Sequence, residues 1–156
     1  QTQPSFRLNQ VSDSTTSEIV TMNALIEVAG RVLMAQLFLM AGFSKIAGYA
    51  GTQAYMQSAG VPGFLLPLVI ALELGGGLAF AAGFLTRPLA MALAGFSVVA
   101  GILFHGNSAD QMQMIMLMKN ISIAGGLLMW MVHGAGRYSV DALLKQRGTS
   151  PVLACQ

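Results

Sequence analysis

Charged side chains are scarce in this sequence. Asp, Glu, Lys and Arg make up 9% of the 156 residues, and hydrophobic residues make up 54%. An average soluble domain is about 25% charged, so this composition excludes an ordinary soluble domain. The mean hydropathy of +0.65 indicates a small integral membrane protein instead.

Cysteine is nearly absent, because Cys155 is the only one in the chain. A lone thiol can form neither an internal disulfide nor a CxxC redox pair, so thiol exchange within this chain is excluded. Basic runs are also missing, and with a net charge of only +2 the sequence argues against a nucleic acid partner. Residues 1–21 lack the basic-then-apolar layout of a secretory signal peptide.

Metal ligands are not grouped in a pattern that predicts a metal site. His105 and His133 end different predicted helices on opposite sides of the membrane, so they cannot share an ion. The alternating methionines of residues 112–118 are soft ligands of the kind that copper prefers. A spacing of two, however, turns successive side chains by about 200°, so core packing is the favoured interpretation.

Four apolar segments are long enough to span a bilayer as helices, which takes about 20 residues. They are predicted at about 23–45, 62–85, 89–104 and 112–133. The sequence therefore predicts an all-α fold, a bundle of four transmembrane helices within a membrane domain of residues 23–143. Residues 1–22 are predicted to form a polar N-terminal extension and residues 144–156 a polar C-terminal tail. Short helices are expected within residues 46–61, where tyrosines suit the membrane interface, and at 139–145.

Cations are distributed unevenly between the two sides of this predicted bundle. One side holds five of them, Arg7, Arg87, Arg137, Lys145 and Arg147, whereas the other holds Lys45. The positive-inside rule then predicts that both termini are cytoplasmic.

The first predicted helix carries three charges, Glu27, Arg31 and Lys45. On a helical wheel they fall with Phe38 and Gly42 within about 60° of one another, which makes one stripe along the helix. Glu27 and Arg31 stand four residues apart, so a structural ion pair between them is predicted. Arg31 is expected to face the bundle, paired with Glu27 or with another acceptor.

Glu73 is the one carboxylate of the second predicted helix and lies near its middle. An ionisable group at that depth costs a few kcal/mol, so it normally faces a protein interior, a water pocket or a counter-ion. Lys119 has a similar predicted depth on the fourth helix. We therefore expect Glu73 to pair with Lys119, with Lys45 or His105 nearby. Gly76 and Gly77 share the face of Glu73, and Gly75, Ala79 and Gly83 form a ridge of small residues spaced by four, which predicts close approach of a neighbouring helix.

Several short motifs occur in the order and spacing of a known family. They are Arg31, FLMAGFSK ending at Lys45, GVP at 60–62, ELGGG at 73–77, GFLTR at 83–87, His105 and Lys119-Asn120. On these residues the chain resembles the DoxX family of small four-helix membrane proteins, over about residues 25–143. That family is similar in part to the small subunit of an archaeal thiosulfate:quinone oxidoreductase, and a mycobacterial relative is associated with a membrane oxidoreductase complex. The resemblance implies a bacterial or archaeal cytoplasmic membrane location and a redox or quinone context.

Two functional hypotheses follow from this resemblance and from the polar groups. In the first, the protein is a membrane subunit or accessory of a quinone-linked oxidoreductase, with membrane lipids, a quinone and a redox protein as partners. The candidate residues for binding the quinone head or a small anion are Lys45, Glu73, His105, Lys119 and Asn120, with Phe38, Phe43 and Phe104 as apolar walls. In the second, the protein is a non-enzymatic assembly or stress-response factor whose polar network is structural. Neither hypothesis assigns a catalytic residue, and self-association is left open.

Overall fold

The computed structural model describes residues 4–106 and 110–148, with side chains described from Thr16 to Gly106 and from Asp110 to Arg147. These residues are largely helical and contain no strand. The helices are α1 Pro4–Ala47, α2 Tyr49–Ser58, α3 Leu66–Ala71, α4 Gly77–Ala82, α5 Thr86–His105, α6 Gln111–His133 and α7 Val140–Gly148. A 3-10 turn, Gly63–Leu65, precedes α3, and a π-helical turn, Leu72–Gly76, joins α3 to α4. Cys155 and most of the predicted polar tail lie outside the described residues.

Four stretches of the described chain are long and apolar enough to cross a membrane: Thr16–Ala47, Gly63–Ala82, Thr86–His105 and Gln111–His133. We call Gly63–Ala82 the second span. The predicted bundle of four transmembrane helices is therefore confirmed. The boundary differs most at the first helix, which begins at Pro4 instead of near residue 23. The reason is local, since no Gly or Pro interrupts residues 5–22 and proline is tolerated in a first helical turn.

The spans pack as two pairs that meet in a shared core. α5 and α6 form a closely packed antiparallel hairpin, and α1 packs along the second span. The core between them includes Phe38, Phe80, Leu93, Ala124 and Leu127. The Phe80 ring meets the Trp130 ring edge to face, with 5.9 Å between centroids. Side chains of all four spans therefore contribute to one hydrophobic core.

The glycines of the second span differ in how closely they pack against other helices. Gly76 and Gly77 are buried, and a Cβ at Gly77 would lie 3.2 Å from the Leu39 side chain of α1. Gly75 is exposed, and a Cβ there would meet nothing within 4 Å. The close approach predicted for the ridge was therefore wrong at Gly75, whereas a Cβ at Gly83 would clash with the side chain of Arg31 on α1. The π-helical turn Leu72–Gly76 contains Gly75 and Gly76, and Gly77 follows it directly. Its wider turn rotates the side chains that follow relative to their positions in a regular α-helix.

The stripe predicted on the first helix coincides with the face that α1 buries. Arg31 is 1% exposed and Phe38 is 6% exposed, whereas Met40 on the opposite face is 72% exposed. The prediction that Arg31 faces the bundle is confirmed. Its Nη2 donates a hydrogen bond to the carbonyl oxygen of Tyr138.

The acceptor of Arg31 differs from the expected Glu27. Glu27 forms no ion pair with Arg31 within 4 Å and acts on it only through its charge at longer range. Arg31 instead extends against Gly83, where an added Cβ would clash with Nη1. The absence of a side chain at Gly83 leaves room for the guanidinium to reach the segment before α7.

Asp141, in the first turn of α7, caps the N-terminus of α5. Its two carboxylate oxygens accept hydrogen bonds from the backbone N–H groups of Leu85, at 2.8 Å, and Thr86, at 3.0 Å. Its own N–H donates to the carbonyl of Gly83 at 2.9 Å. Leu85 has a left-handed φ of +46°, which is uncommon for a residue with a side chain. Asp141 therefore holds the turn between the second and third spans against the C-terminal segment.

Loss of this cap should be measurable. We expect Asp141→Ala to lower the free energy of unfolding by about 1–2 kcal/mol, because two donors at the start of α5 lose their acceptor. Asp141→Asn keeps one acceptor oxygen and should lose less. Unfolding of both variants by SDS titration from a mild detergent would measure the difference. Equal stability of Asp141→Ala and the unaltered protein would show that the cap contributes nothing.

Candidate functional site

A pocket of about 460 Å³ lies among the four spans and α2. This volume is within the range of about 300–1,000 Å³ that is typical of small-molecule sites. All five predicted ligand-binding candidates contribute to its lining: Lys45, Glu73, His105, Lys119 and Asn120. Most of the remaining wall is apolar, from Phe38 and Ala41 of α1 to Ile123 of α6. The structure therefore brings together polar groups that are up to 75 positions apart in the sequence, counted from Lys45 to Asn120.

Lys45 and Glu73 form the ion pair of this pocket. Lys45 Nζ lies 2.8 Å from Glu73 Oε1, and the two side chains are 25% and 4% exposed. The close packing of α1 on the second span explains their meeting. Gly42, one turn before Lys45, has no side chain, and a Cβ there would lie 3.4 Å from the Glu73 Cβ. The glycine thus allows the two helices to approach where the charges pair.

Glu73 pairs directly with Lys45, which was expected to lie nearby, and the expected direct Glu73–Lys119 pair was wrong. Matched depth was the basis of that prediction, but depth says nothing about which helices are neighbours. The second span packs on α1, whereas α6 packs chiefly on α5. Lys119 therefore lines the same pocket from another wall, and its Nζ lies 3.2 Å from the sulfur of Met116, a weak acceptor. Among the described residues it has no carboxylate within 4 Å.

Glu73 keeps one oxygen without a partner. Its side chain is almost fully buried, and the structure gives Oε2 no hydrogen bond from any described residue. The residue lies within the π-helical turn Leu72–Gly76, and such turns occur frequently at functional sites. A carboxylate that accepts from Lys45 on one oxygen can accept further hydrogen bonds on the other.

His105 and Asn120 bond to neighbours on α6. The His105 Nδ1 is within hydrogen-bond distance of the Gln113 side-chain oxygen, and Asn120 Nδ2 donates to the Met116 carbonyl at 3.0 Å. The two residues are thus oriented from the helix hairpin formed by α5 and α6.

α2 covers one end of the pocket. Tyr55 stacks on Phe104 with ring centroids 5.4 Å apart, and Met56 beside it is buried. Thr52, Tyr55 and Met56 all line the pocket. The sequence indicated only a short interfacial helix here, and nothing in its pattern of glycine, alanine and glutamine marked these side chains as pocket lining. Their contact with α5 is a consequence of the tertiary fold.

The apolar walls agree with expectation at two of three phenylalanines. Phe38 and Phe104 line the pocket, but Phe43 does not and is 65% exposed. Phe43 is next to Gly42, and one residue along a helix turns the side chain by about 100°, away from the buried stripe. The helical wheel of α1 could have identified this position as outward-facing.

Part of the pocket rim is apolar and exposed. Leu37 on α1 is 44% exposed, and Val99 and Leu103 on α5 are 56% and 50% exposed, yet all three line the pocket. They lie within spans, so in a membrane their exposed surfaces meet lipid chains. The pocket is therefore covered at one end by α2 and flanked at its sides by side chains that contact the bilayer.

Comparisons with known proteins agree with this architecture. The DoxX family model matches residues 26–106. The chain is 52% identical to inner membrane protein YqjF of Escherichia coli (strain K12) over 120 residues, which cover 77% of this chain and 92% of YqjF. It is 33% identical over 118 residues to inner membrane protein YphA of the same organism, covering 71% of this chain and 84% of YphA. No solved structure matches significantly. The chain therefore belongs to the DoxX family and is a multi-pass integral protein of the inner membrane.

Proposed function

We propose that the pocket binds the head group of a quinone and that the protein is a membrane subunit or accessory of a quinone-linked oxidoreductase. The observation that carries the proposal is the pocket itself, in which apolar walls surround the Lys45–Glu73 pair together with His105, Lys119 and Asn120. Intramembrane ionisable groups that converge on a cavity are typical of ligand sites. A soluble redox partner would carry the electrons.

The chemistry of the lining suits a ring with oxygen substituents. Lys119 has only a weak sulfur acceptor among the described residues, so its ammonium can donate to a ligand oxygen. Phe38 and Phe104 offer aromatic surface to a planar ring. A quinone head has polar oxygens at its edges and apolar faces, and this pocket has polar groups set among apolar walls.

The exposed rim supports a ligand that comes from the bilayer. α2 covers one end of the pocket, and the exposed rim residues Val99 and Leu103 would contact lipid chains. A molecule with a hydrocarbon chain can leave that chain along the exposed rim at Val99 and Leu103 while its head occupies the pocket. A small hydrophilic anion that entered past these apolar side chains would have to give up its hydration.

A second candidate function is a structural role in membrane assembly or stress response. It is favoured by the Lys45–Glu73 pair, which connects α1 to the second span and so fixes their register without any ligand. If this alternative holds, the remaining polar groups of the pocket bind no ligand, and the protein purifies without a defined small molecule.

Identification of the ligand that copurifies with the protein tests the proposal. Native mass spectrometry and solvent extraction should find a quinone, in its oxidised or its reduced form, with the unaltered protein, and roughly tenfold less of it with Lys119→Met, which removes a charged donor. Arg137→Met is a matched control, since it removes an exposed cation that does not line the pocket. It should retain the quinone in full. A protein from native membranes that carries no quinone, or a Lys119→Met variant that keeps it in full, would contradict the proposal.

A further inference from the structure

The unpartnered oxygen of Glu73 places a chemical condition on the ligand. The Oε2 atom is buried in a side chain that lines the pocket, and no described group donates to it. Lys45 donates to Oε1 at 2.8 Å, and a paired ammonium favours the ionised carboxylate, which acts only as an acceptor. A buried acceptor without a donor is costly, so a ligand that donates to it gains more than one that cannot.

The second condition comes from Lys119 on another wall of the same pocket. Its ammonium carries three donors, and among the described residues only the Met116 sulfur accepts from it. The pocket thus has an acceptor, Glu73 Oε2, to which no described group donates, and a donor, the Lys119 ammonium, whose acceptor among the described residues is a weak one. Its complement is a head group that has a hydroxyl on one side and an oxygen acceptor on another.

We infer that the pocket selects the reduced, quinol form of its ligand, with a quinol hydroxyl donating to Glu73 Oε2. This inference rests on the proposed function and deepens it. An oxidised quinone has only acceptors, so its carbonyl oxygen would face the carboxylate oxygen without a proton between them. A quinol satisfies Glu73 through one hydroxyl and accepts from Lys119 with an oxygen of its ring.

The binding of three short-chain probes tests whether the pocket selects the quinol. We would measure the dissociation constants of decyl-benzoquinol, decyl-benzoquinone and the di-O-methyl ether of the quinol under anaerobic conditions, with the protein in nanodiscs. The quinol should bind at least roughly tenfold more tightly than either of the others, because they lack the hydroxyl that donates to a charged acceptor. Equal binding of the quinol and its ether would overturn the inference, and this comparison needs no variant.

Two variants assign the selection to Glu73. In Glu73→Gln the side-chain amide can donate as well as accept, so the preference for quinol over quinone should fall to roughly onefold to threefold. Lys119→Met leaves the Lys45–Glu73 pair in place and should weaken both forms while the quinol preference persists. A full quinol preference in Glu73→Gln would show that another residue provides the selection.

The failure of the inference and that of the proposed function give different results. If quinol, quinone and ether bind equally, the pocket is a quinone site without the Glu73 contact, and only the inference fails. If none of the three binds to the unaltered protein, the proposed function fails and the inference with it.

Discussion

The Lys45→Met variant should unfold with a free energy about 3 kcal/mol lower than that of the unaltered protein. The substitution leaves the carboxylate of Glu73, only 4% exposed, without its counter-ion in a membrane span. Breaking a buried pair from one side typically costs about 3–5 kcal/mol because an uncompensated charge remains. Glu73→Gln should cost less, since the ammonium it leaves behind is 25% exposed and can move to a more polar position.

A double-mutant cycle measures whether the two charges are coupled. Lys45→Met combined with Glu73→Gln removes both charges, so the double variant should be more stable than the sum of the single losses predicts, by at least about 1 kcal/mol. SDS titration from a mild detergent would provide the free energies of unfolding. The matched control cycle pairs Glu73→Gln with Lys119→Met and should be close to additive, because Lys119 contacts Met116 and not Glu73. Strong coupling in the control cycle and none with Lys45 would contradict the pairing seen in the structure.

Narrowing the lipid-facing rim of the pocket should greatly reduce ligand binding. We expect Val99→Trp and Leu103→Trp each to lower the amount of copurifying quinone by roughly tenfold or more, because the indole would occupy the exposed rim through which the ligand is proposed to enter. Both positions line the pocket and are about half exposed, so the larger side chain can be accommodated without disturbing the core.

Ile102 supplies the matched control for this experiment. It precedes Leu103 on α5 and is 59% exposed, but it does not line the pocket. Ile102→Trp should retain the quinone, and all three variants should unfold at temperatures close to that of the unaltered protein. If none of the variants at positions 99, 102 and 103 loses quinone, the ligand enters by another route. Equal loss at all three would indicate a general effect of tryptophan on α5.

The membrane architecture could be predicted from the sequence because it depends on properties of single segments. A run of apolar residues of sufficient length must form a helix in lipid, where backbone groups have no water to bond. The same applies to the buried face of α1, since helical periodicity alone places Arg31, Phe38 and Gly42 on one side. Burial of Arg31 and of Phe38 in the structure agrees with this.

Partners across helices could not be predicted in the same way. Glu73 and Lys119 were paired on depth, but the pairing depends on which helices are adjacent, and the second span packs on α1. Arg31 likewise bonds to the Tyr138 carbonyl, which no side-chain pattern encodes, instead of forming the expected pair with Glu27. Backbone acceptors are present at every residue, so a sequence gives no sign of which one is presented to a buried cation.

The sequence by itself determined the four spans, the polar residues within them and the resemblance to the DoxX family, because each follows from local composition, length or motif spacing. Only the tertiary structure decided that Lys45 is the counter-ion of Glu73, that a π-helical turn holds Glu73 with one oxygen unpartnered, and that α2 covers the pocket. These features arise where helices meet, through glycines such as Gly42 that let two backbones approach. Helix contacts of this kind depend on the whole arrangement of the bundle and not on any one segment.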